Sequence, residues 1–121
     1  MQSLTQLTEL HLSRNEISDN KPLESLTQLF LLELDNNQIS DIKPLASLTQ
    51  LSFLGLSDNK ISAIKPLQSL RELDYLSLDN NQITNIKPLQ SLTNLSYLSL
   101  SGNLIIPQIC PMAKPESICS W

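Results

Sequence analysis

Leucine and isoleucine recur along this chain at a fixed interval. Cutting before the Ser-Leu pairs at Ser3, Ser25, Ser47, Ser69 and Ser91 gives five 22-residue units, 3–24, 25–46, 47–68, 69–90 and 91–112, and a divergent tail. Five columns are apolar in every unit, beginning at Leu4, Leu7, Leu10, Leu12 and Ile17; two more, containing Leu23 and Ile42, are partial. Within a unit the period changes. Leu10-His11-Leu12 alternates, which predicts a strand with one buried face. Pro22-Leu23, Leu26 and Leu29 step by three, which predicts a short helical or 3₁₀ segment opened by proline. A proline every 22 residues excludes one long helix. The predicted strands are Glu9–Ser13, Leu31–Asp35, Phe53–Ser57, Tyr75–Asp79 and Tyr97–Ser101. Each unit then forms one turn of a right-handed α/β solenoid, its strand parallel to its neighbours'.

One polar column is unbroken: Asn15, Asn37, Asn59, Asn81 and Asn103. A chain leaving a strand at a tight inward corner buries backbone groups that water cannot reach. A carboxamide offers donors and an acceptor, so one side chain can bond backbone in its own turn and in a neighbouring one. This column is therefore read as structural.

These residues carry a family resemblance. The pattern LxxLxLxxNxI, present as Leu7-Thr-Glu-Leu10-His-Leu12-Ser-Arg-Asn15-Glu-Ile17, resembles the leucine-rich repeat. The 22-residue form with IKPLxSLTxL, as from Ile42, is similar to the bacterial, internalin-type class. The tail CPMAKPESICSW resembles the closing segment of some cyanobacterial leucine-rich-repeat proteins. The resemblance implies a curved solenoid with its parallel sheet on the concave side, short 3₁₀ or irregular segments on the convex side, and a role in holding partner proteins. The sequence departs from the pattern at Asn20, where isoleucine is expected, and at Gln108 and Pro111. The whole chain, 1–121, reads as one leucine-rich-repeat domain closed by a C-terminal cap over about 104–121.

The two ends differ. Cys110 and Cys119 bracket a short Pro-containing loop, and a disulfide between them would close the last turn, with Ile118 and Trp121 covering the core. Two reduced thiols are the alternative. The oxidised pair favours an extracytoplasmic or cell-surface setting and the reduced pair a cytoplasmic one. The first unit starts at Ser3 with no cap, which predicts exposed leucines there and hence a missing segment, a missing partner or self-association.

Composition narrows the function. Leucine occurs 26 times, isoleucine 11 times and valine never, so the chain can bury too much apolar surface to be disordered. Repeated copying of one unit explains the missing valine better than any physical rule. No apolar run reaches the ~18 residues of a membrane span, and the N-terminus, MQSLTQLTEL, is polar rather than signal-like. A net charge of −4 and a pI near 4.7 argue against nucleic acid.

The outward strand positions form columns. The first reads Glu9, Leu31, Phe53, Tyr75, Tyr97; the second His11, Glu33, Gly55, Ser77, Ser99; the third Ser13, Asp35, Ser57, Asp79, Ser101; the fourth Arg14, Asn36, Asp58, Asn80, Gly102. Exposed aromatics in a row are usual anchors of a binding surface, and Gly55 is expected to leave a notch beside Phe53. The predicted contacts are Leu31, Phe53, Tyr75 and Tyr97, with Glu33, Asp35 and Asp79 turned toward the basic fringe of an otherwise apolar protein or peptide. Chemistry has little to work with. His11 and Glu33 read as a cross-strand ion pair rather than an acid–base site, since no activated nucleophile stands beside them. Calcium needs converging oxygens, and Asp35 and Asp79 are two strands apart. A lone histidine and two cysteines do not make a zinc site. Lys21, Lys43, Lys65 and Lys87 read as a solvated face. The favoured reading is a non-enzymatic, cofactor-free interaction module. A structural or capping piece of a larger solenoid and a glycan-binding surface are the alternatives.

Overall fold

The computed structural model describes residues 2–112 and 118–121. Six parallel strands, β1 (Glu9–His11), β2 (Leu31–Glu33), β3 (Phe53–Gly55), β4 (Tyr75–Ser77), β5 (Tyr97–Ser99) and β6 (Cys119–Ser120), form one open sheet in sequence order. Among the described residues, five 3₁₀ helices alternate with them: η1 (Gln2–Gln6), η2 (Lys21–Ser25), η3 (Lys43–Ser47), η4 (Lys65–Ser69) and η5 (Lys87–Ser91). This is the leucine-rich-repeat architecture, one turn per unit, with the sheet along one side and the 3₁₀ segments along the other.

The first five strands are shorter than the sequence predicts, three residues rather than five. Inter-turn hydrogen bonding nevertheless runs on past them: Leu12 N–H donates to Glu33 O and Arg14 N–H to Asp35 O, both at 2.8 Å. The strand ends because the chain must turn. Arg14, Asn36, Asp58, Asn80 and Gly102 have φ between 56° and 74°, the left-handed region. Asn, Asp and Gly tolerate that conformation, whereas Arg14 lacks the short polar side chain that eases it. The fourth column, expected on the sheet face, thus belongs to the corner.

The ladder asparagines hold this corner. Asn59 Nδ2 donates to Leu56 O (3.1 Å) in its own turn and to Leu34 O (3.0 Å) in the preceding one, while its Oδ1 accepts from Ile39 N–H at 3.0 Å. Asn37, Asn81 and Asn103 repeat the arrangement. Asn15 bonds only within its own turn, to Leu12 O and Ser13 O. On the opposite side, Asp19, Asp41 and Asn85 each accept the N–H of the lysine two residues on, at 3.0 Å. The third unit has Ala63 there and no such bond is made.

Leucine and isoleucine fill the interior. Leu32, Leu54, Leu76 and Leu98, one from each successive strand, have no exposed surface. Leu4, Leu7, Leu10, Leu12 and Ile17 of the first turn are only partly buried and pack against the core. Asn20 occupies an isoleucine position and is buried. Its Nδ2 donates to Asp41 O at 2.9 Å, but its Oδ1 finds no partner. At the other end, Cys110 and Cys119 are disulfide-bonded with Cα atoms 5.8 Å apart. β6 pairs with β5, and Ile118, Cys119 and Trp121 pack on the core. Residues 113–117 of the expected cap lie outside the described residues.

Candidate functional site

Parallel pairing without bulges brings the first column into line. Glu9, Leu31, Phe53, Tyr75 and Tyr97 are direct cross-strand partners from β1 to β5. Neighbouring strands lie about 4.8 Å apart, close to the centroid spacing of two stacked rings. Phe53 and Tyr75 accordingly stack with centroids 4.1 Å apart and planes 1° from parallel, and Tyr75 and Tyr97 with centroids 4.4 Å apart and planes 3° from parallel. Tyr97 is 42% exposed; Leu31, Phe53 and Tyr75 are partly exposed. Burial among its neighbours pushes the Tyr75 hydroxyl above its usual pKa, with the Tyr97 hydroxyl and the Asp35 charge acting in the same direction. It is therefore a neutral donor and acceptor at physiological pH.

The third column, expected on the solvent-facing strand surface, is a second ladder. Asp35 N–H donates to Ser13 Oγ (3.2 Å), Ser57 N–H to Asp35 Oδ1 (2.7 Å), Asp79 N–H to Ser57 Oγ (3.1 Å) and Ser101 N–H to Asp79 Oδ1 (2.9 Å). Each side chain thus accepts the backbone donor one turn onward. Ser57 and Ser77 share a hydroxyl hydrogen bond, and Ser99 and Ser101 hydroxyls both donate to Asp79. Strictly alternating Ser and Asp was the available signal, since either can accept from an N–H.

The space over Gly55 is not an open notch. Asp35 leans across it, so that a Cβ on Gly55 would lie 2.8 Å from Asp35 Oδ2. Burial raises the Asp35 pKa above the usual carboxylate range. The Ser57 N–H opposes this, while the charges of Glu33, Asp58 and Asp79 add to it. Glu33 is elsewhere engaged: its Oε1 meets His11 Nδ1, and His11 Nε2 lies 3.7 Å from Glu9 Oε1. The hydrogen bond to Glu33 is the main reason the His11 pKa is raised.

The predicted contacts therefore divide. Leu31, Phe53, Tyr75 and Tyr97 form one continuous line. Glu33 flanks it through its pairing with His11, and Asp35 and Asp79 sit beyond with one oxygen each committed to backbone. The outward columns do not include Phe30, which is 41% exposed, nor Leu104, Ile106 and Ile109, which are 65–90% exposed near the cap. Among the described residues, no group of three or more His, Cys, Asp or Glu side chains is arranged to hold a metal ion. No described helix is long and apolar enough to cross a membrane.

Comparisons with known proteins agree with this architecture. The family profile for leucine-rich repeats in two copies matches residues 5–47, 27–69 and 71–111. Among solved structures, internalin C2 of Listeria monocytogenes is 40% identical with a TM-score of 0.86, the match covering 89% of this chain and 47% of that one. Internalin F of the same organism is 43% identical with a TM-score of 0.85, covering 88% of this chain and 32% of that one. A leucine-rich-repeat protein of Leptospira interrogans is 30% identical with a TM-score of 0.68, covering 87% and 34%. The chain thus spans less than half the length of these relatives. A search of the curated protein sequences finds no match. The likeness of the tail to cyanobacterial proteins rests on its sequence alone. Proteins of this kind are typically interaction modules rather than enzymes, and this chain belongs to the leucine-rich-repeat proteins, with bacterial repeats of the internalin type.

Proposed function

We propose that the chain is a non-catalytic interaction module that holds a protein or peptide on the sheet face through Leu31, Phe53, Tyr75 and Tyr97. The observation that carries this reading is the stacked aromatic line. Its rings pack on one another along the sheet face. Exposed aromatic surface concentrated in this way is characteristic of binding sites. The acidic margin, Glu33, Asp35 and Asp79, matches a ligand with a basic fringe.

Ring orientation favours protein over glycan. Sugars bind aromatics by laying C–H groups on ring faces, and here the stacking of Phe53, Tyr75 and Tyr97 uses most of those faces. Ring edges remain, which suit aliphatic side chains and backbone carbonyls. Selection of binders from a displayed library of protein fragments tests the reading. Phe53→Ser/Tyr75→Ser/Tyr97→Ser should weaken the selected binders about a hundredfold, as loss of a hot-spot cluster does. Binders that tolerate the triple change, or a preference for a glycan array, would overturn it.

A second reading, that the chain extends a larger solenoid or self-associates, is favoured by the partly exposed leucines of the first turn. Sedimentation over a range of concentrations tests self-association: a dimer abolished by Leu10→Lys supports it, and a monomer throughout contradicts it.

A further inference from the structure

In a chain copied from one unit, departures that converge in space are the informative ones. Alanine occurs three times, and two of the three line one groove. Ala46 stands where other units have Glu24, Gln68 and Gln90, and Ala63 where they have Asp19, Asp41 and Asn85. Both truncations border the space between η3 and η4, on the side away from the sheet, and Ala63 also borders the recess between η4 and η5. The resulting open groove measures about 740 Å³ and is lined by Ala46, Ala63, Pro66 and Gln68, with the exposed Asp41, Lys43 and Lys65 bordering it. Between η4 and η5, where Asn85 supplies a longer side chain, the corresponding recess measures about 340 Å³.

The rim has a definite charge character. Asp41 Oδ1 is held by the Lys43 N–H at 3.0 Å. Lys21 and Lys43 each follow an aspartate by two residues, but Lys65 follows Ala63 and has no such escort. Two lysines therefore face one aspartate across an apolar floor, in a protein of net charge −4 whose sheet face carries Glu33, Asp35 and Asp79.

We infer that this groove is a second docking surface, one that takes a peptide segment with an aliphatic side chain next to an acidic residue. The aliphatic group lies over Ala46, Ala63 and Pro66, displacing water that finds few partners on such a floor. The carboxylate pairs with Lys65 at the rim, where partial desolvation strengthens the contact. Two opposite faces of unlike charge let one solenoid hold two unlike ligands, a basic-fringed one on the sheet and an acidic one behind it.

The experiment selects a displayed random-peptide library on the intact chain and measures the enriched peptides on three variants. Ala46→Gln/Ala63→Asn puts back side chains that the repeat itself carries, so it keeps the fold while filling the groove. Peptides of the inferred class should be acidic and aliphatic. They should lose about tenfold or more in affinity, roughly 1.4 kcal/mol, on that variant, weaken on Lys65→Gln, and be unaffected by the triple serine change in the aromatic line. Vesicles of phosphatidylserine and phosphatidylcholine form a separate arm. The inference is overturned if no enriched peptide depends on Ala46 and Ala63, if the dependent peptides are basic, or if anionic vesicles bind the lysine column while peptides do not.

Discussion

Phe53 and Ser57 lie four residues apart in one turn and belong to columns that look alike on paper: each runs the length of the solenoid on the sheet side. They behave differently. Ser57 is buried, accepts the Asp79 N–H and shares a hydrogen bond with Ser77, so its column ties each turn to the next. Phe53, Tyr75 and Tyr97 touch chiefly one another, and their outer edges meet solvent. Recurrence along a repeat protein therefore has two separate causes. A column whose side chains bond the next turn's backbone is retained by folding, and one whose side chains stack only on one another at the surface is left to binding.

The largest expected stability effect lies in the asparagine ladder. Asn59→Ala orphans the Ile39 N–H and removes one of the two side-chain bonds that the Leu34 and Leu56 carbonyls each accept, those from Asn37 and Asn81 remaining. At about 1–3 kcal/mol for the buried N–H left unpaired and about 1 kcal/mol for the bonds lost at the carbonyls, urea unfolding should show a loss of about 3 kcal/mol. Asn15→Ala, in the first turn, touches no neighbouring turn and should cost well under half as much. Equal costs would contradict the bridging account.

Next in size is the aromatic line itself. Replacing Phe53, Tyr75 and Tyr97 by serine removes two stacked pairs, each worth about 0.5–1.5 kcal/mol. Unfolding should therefore shift by about 1–3 kcal/mol while far-UV circular dichroism stays native. Collapse of the fold would show that the line is core rather than surface.

Asp35→Asn should be smaller still and opposite in sign. The amide oxygen can accept the Ser57 N–H as the carboxylate does, without the burial cost of the charge. Because the folded-state pKa of Asp35 is raised, its ionised form destabilises the fold above that pKa, and the penalty fades as pH falls through it. The variant should thus be slightly more stable than the parent at neutral pH, and the two should converge on acidification. A gap that widens at low pH would refute this.

The smallest effect concerns His11. Its raised pKa means that pairing with Glu33 supports the fold fully below the unfolded value of 6.5, and that this support is lost as pH rises through the folded value. An NMR titration of the His11 ring should place its pKa above 6.5 in the parent and lower in Glu33→Gln. An unchanged pKa would remove Glu33 as the cause.

How far the sequence reveals all this depends on whether a residue's partner lies at the repeat interval. The leucine columns, the asparagine column and the prolines recur every 22 residues, so turn, sheet and 3₁₀ segments are legible from spacing alone. The Ser/Asp column is equally periodic. However, its side chains bond the turn 22 residues away, and polar residues on a strand read as solvent-facing until that partner is in place. The fourth column fails for a different reason: Asn36, Asp58, Asn80 and Gly102 are residues that favour the left-handed corner, but Arg14 at its head disguises the pattern. β6 is illegible because Cys119 and Ser120 carry no alternation; the disulfide and the turn beneath position them. Gly55 looked like a notch because the side chain lying over it, Asp35, comes from another turn.

The central claim is that the aromatic line binds while its neighbour column folds. Its most direct measurement is the affinity of one selected protein ligand for the triple serine variant and for Ser57→Ala, with stability followed in parallel. The account predicts about a hundredfold weaker binding for the triple variant. Ser57→Ala should lose about 1 kcal/mol of stability yet bind within about twofold of the parent. Full binding by the triple variant, or loss of binding in Ser57→Ala with the fold intact, would contradict it.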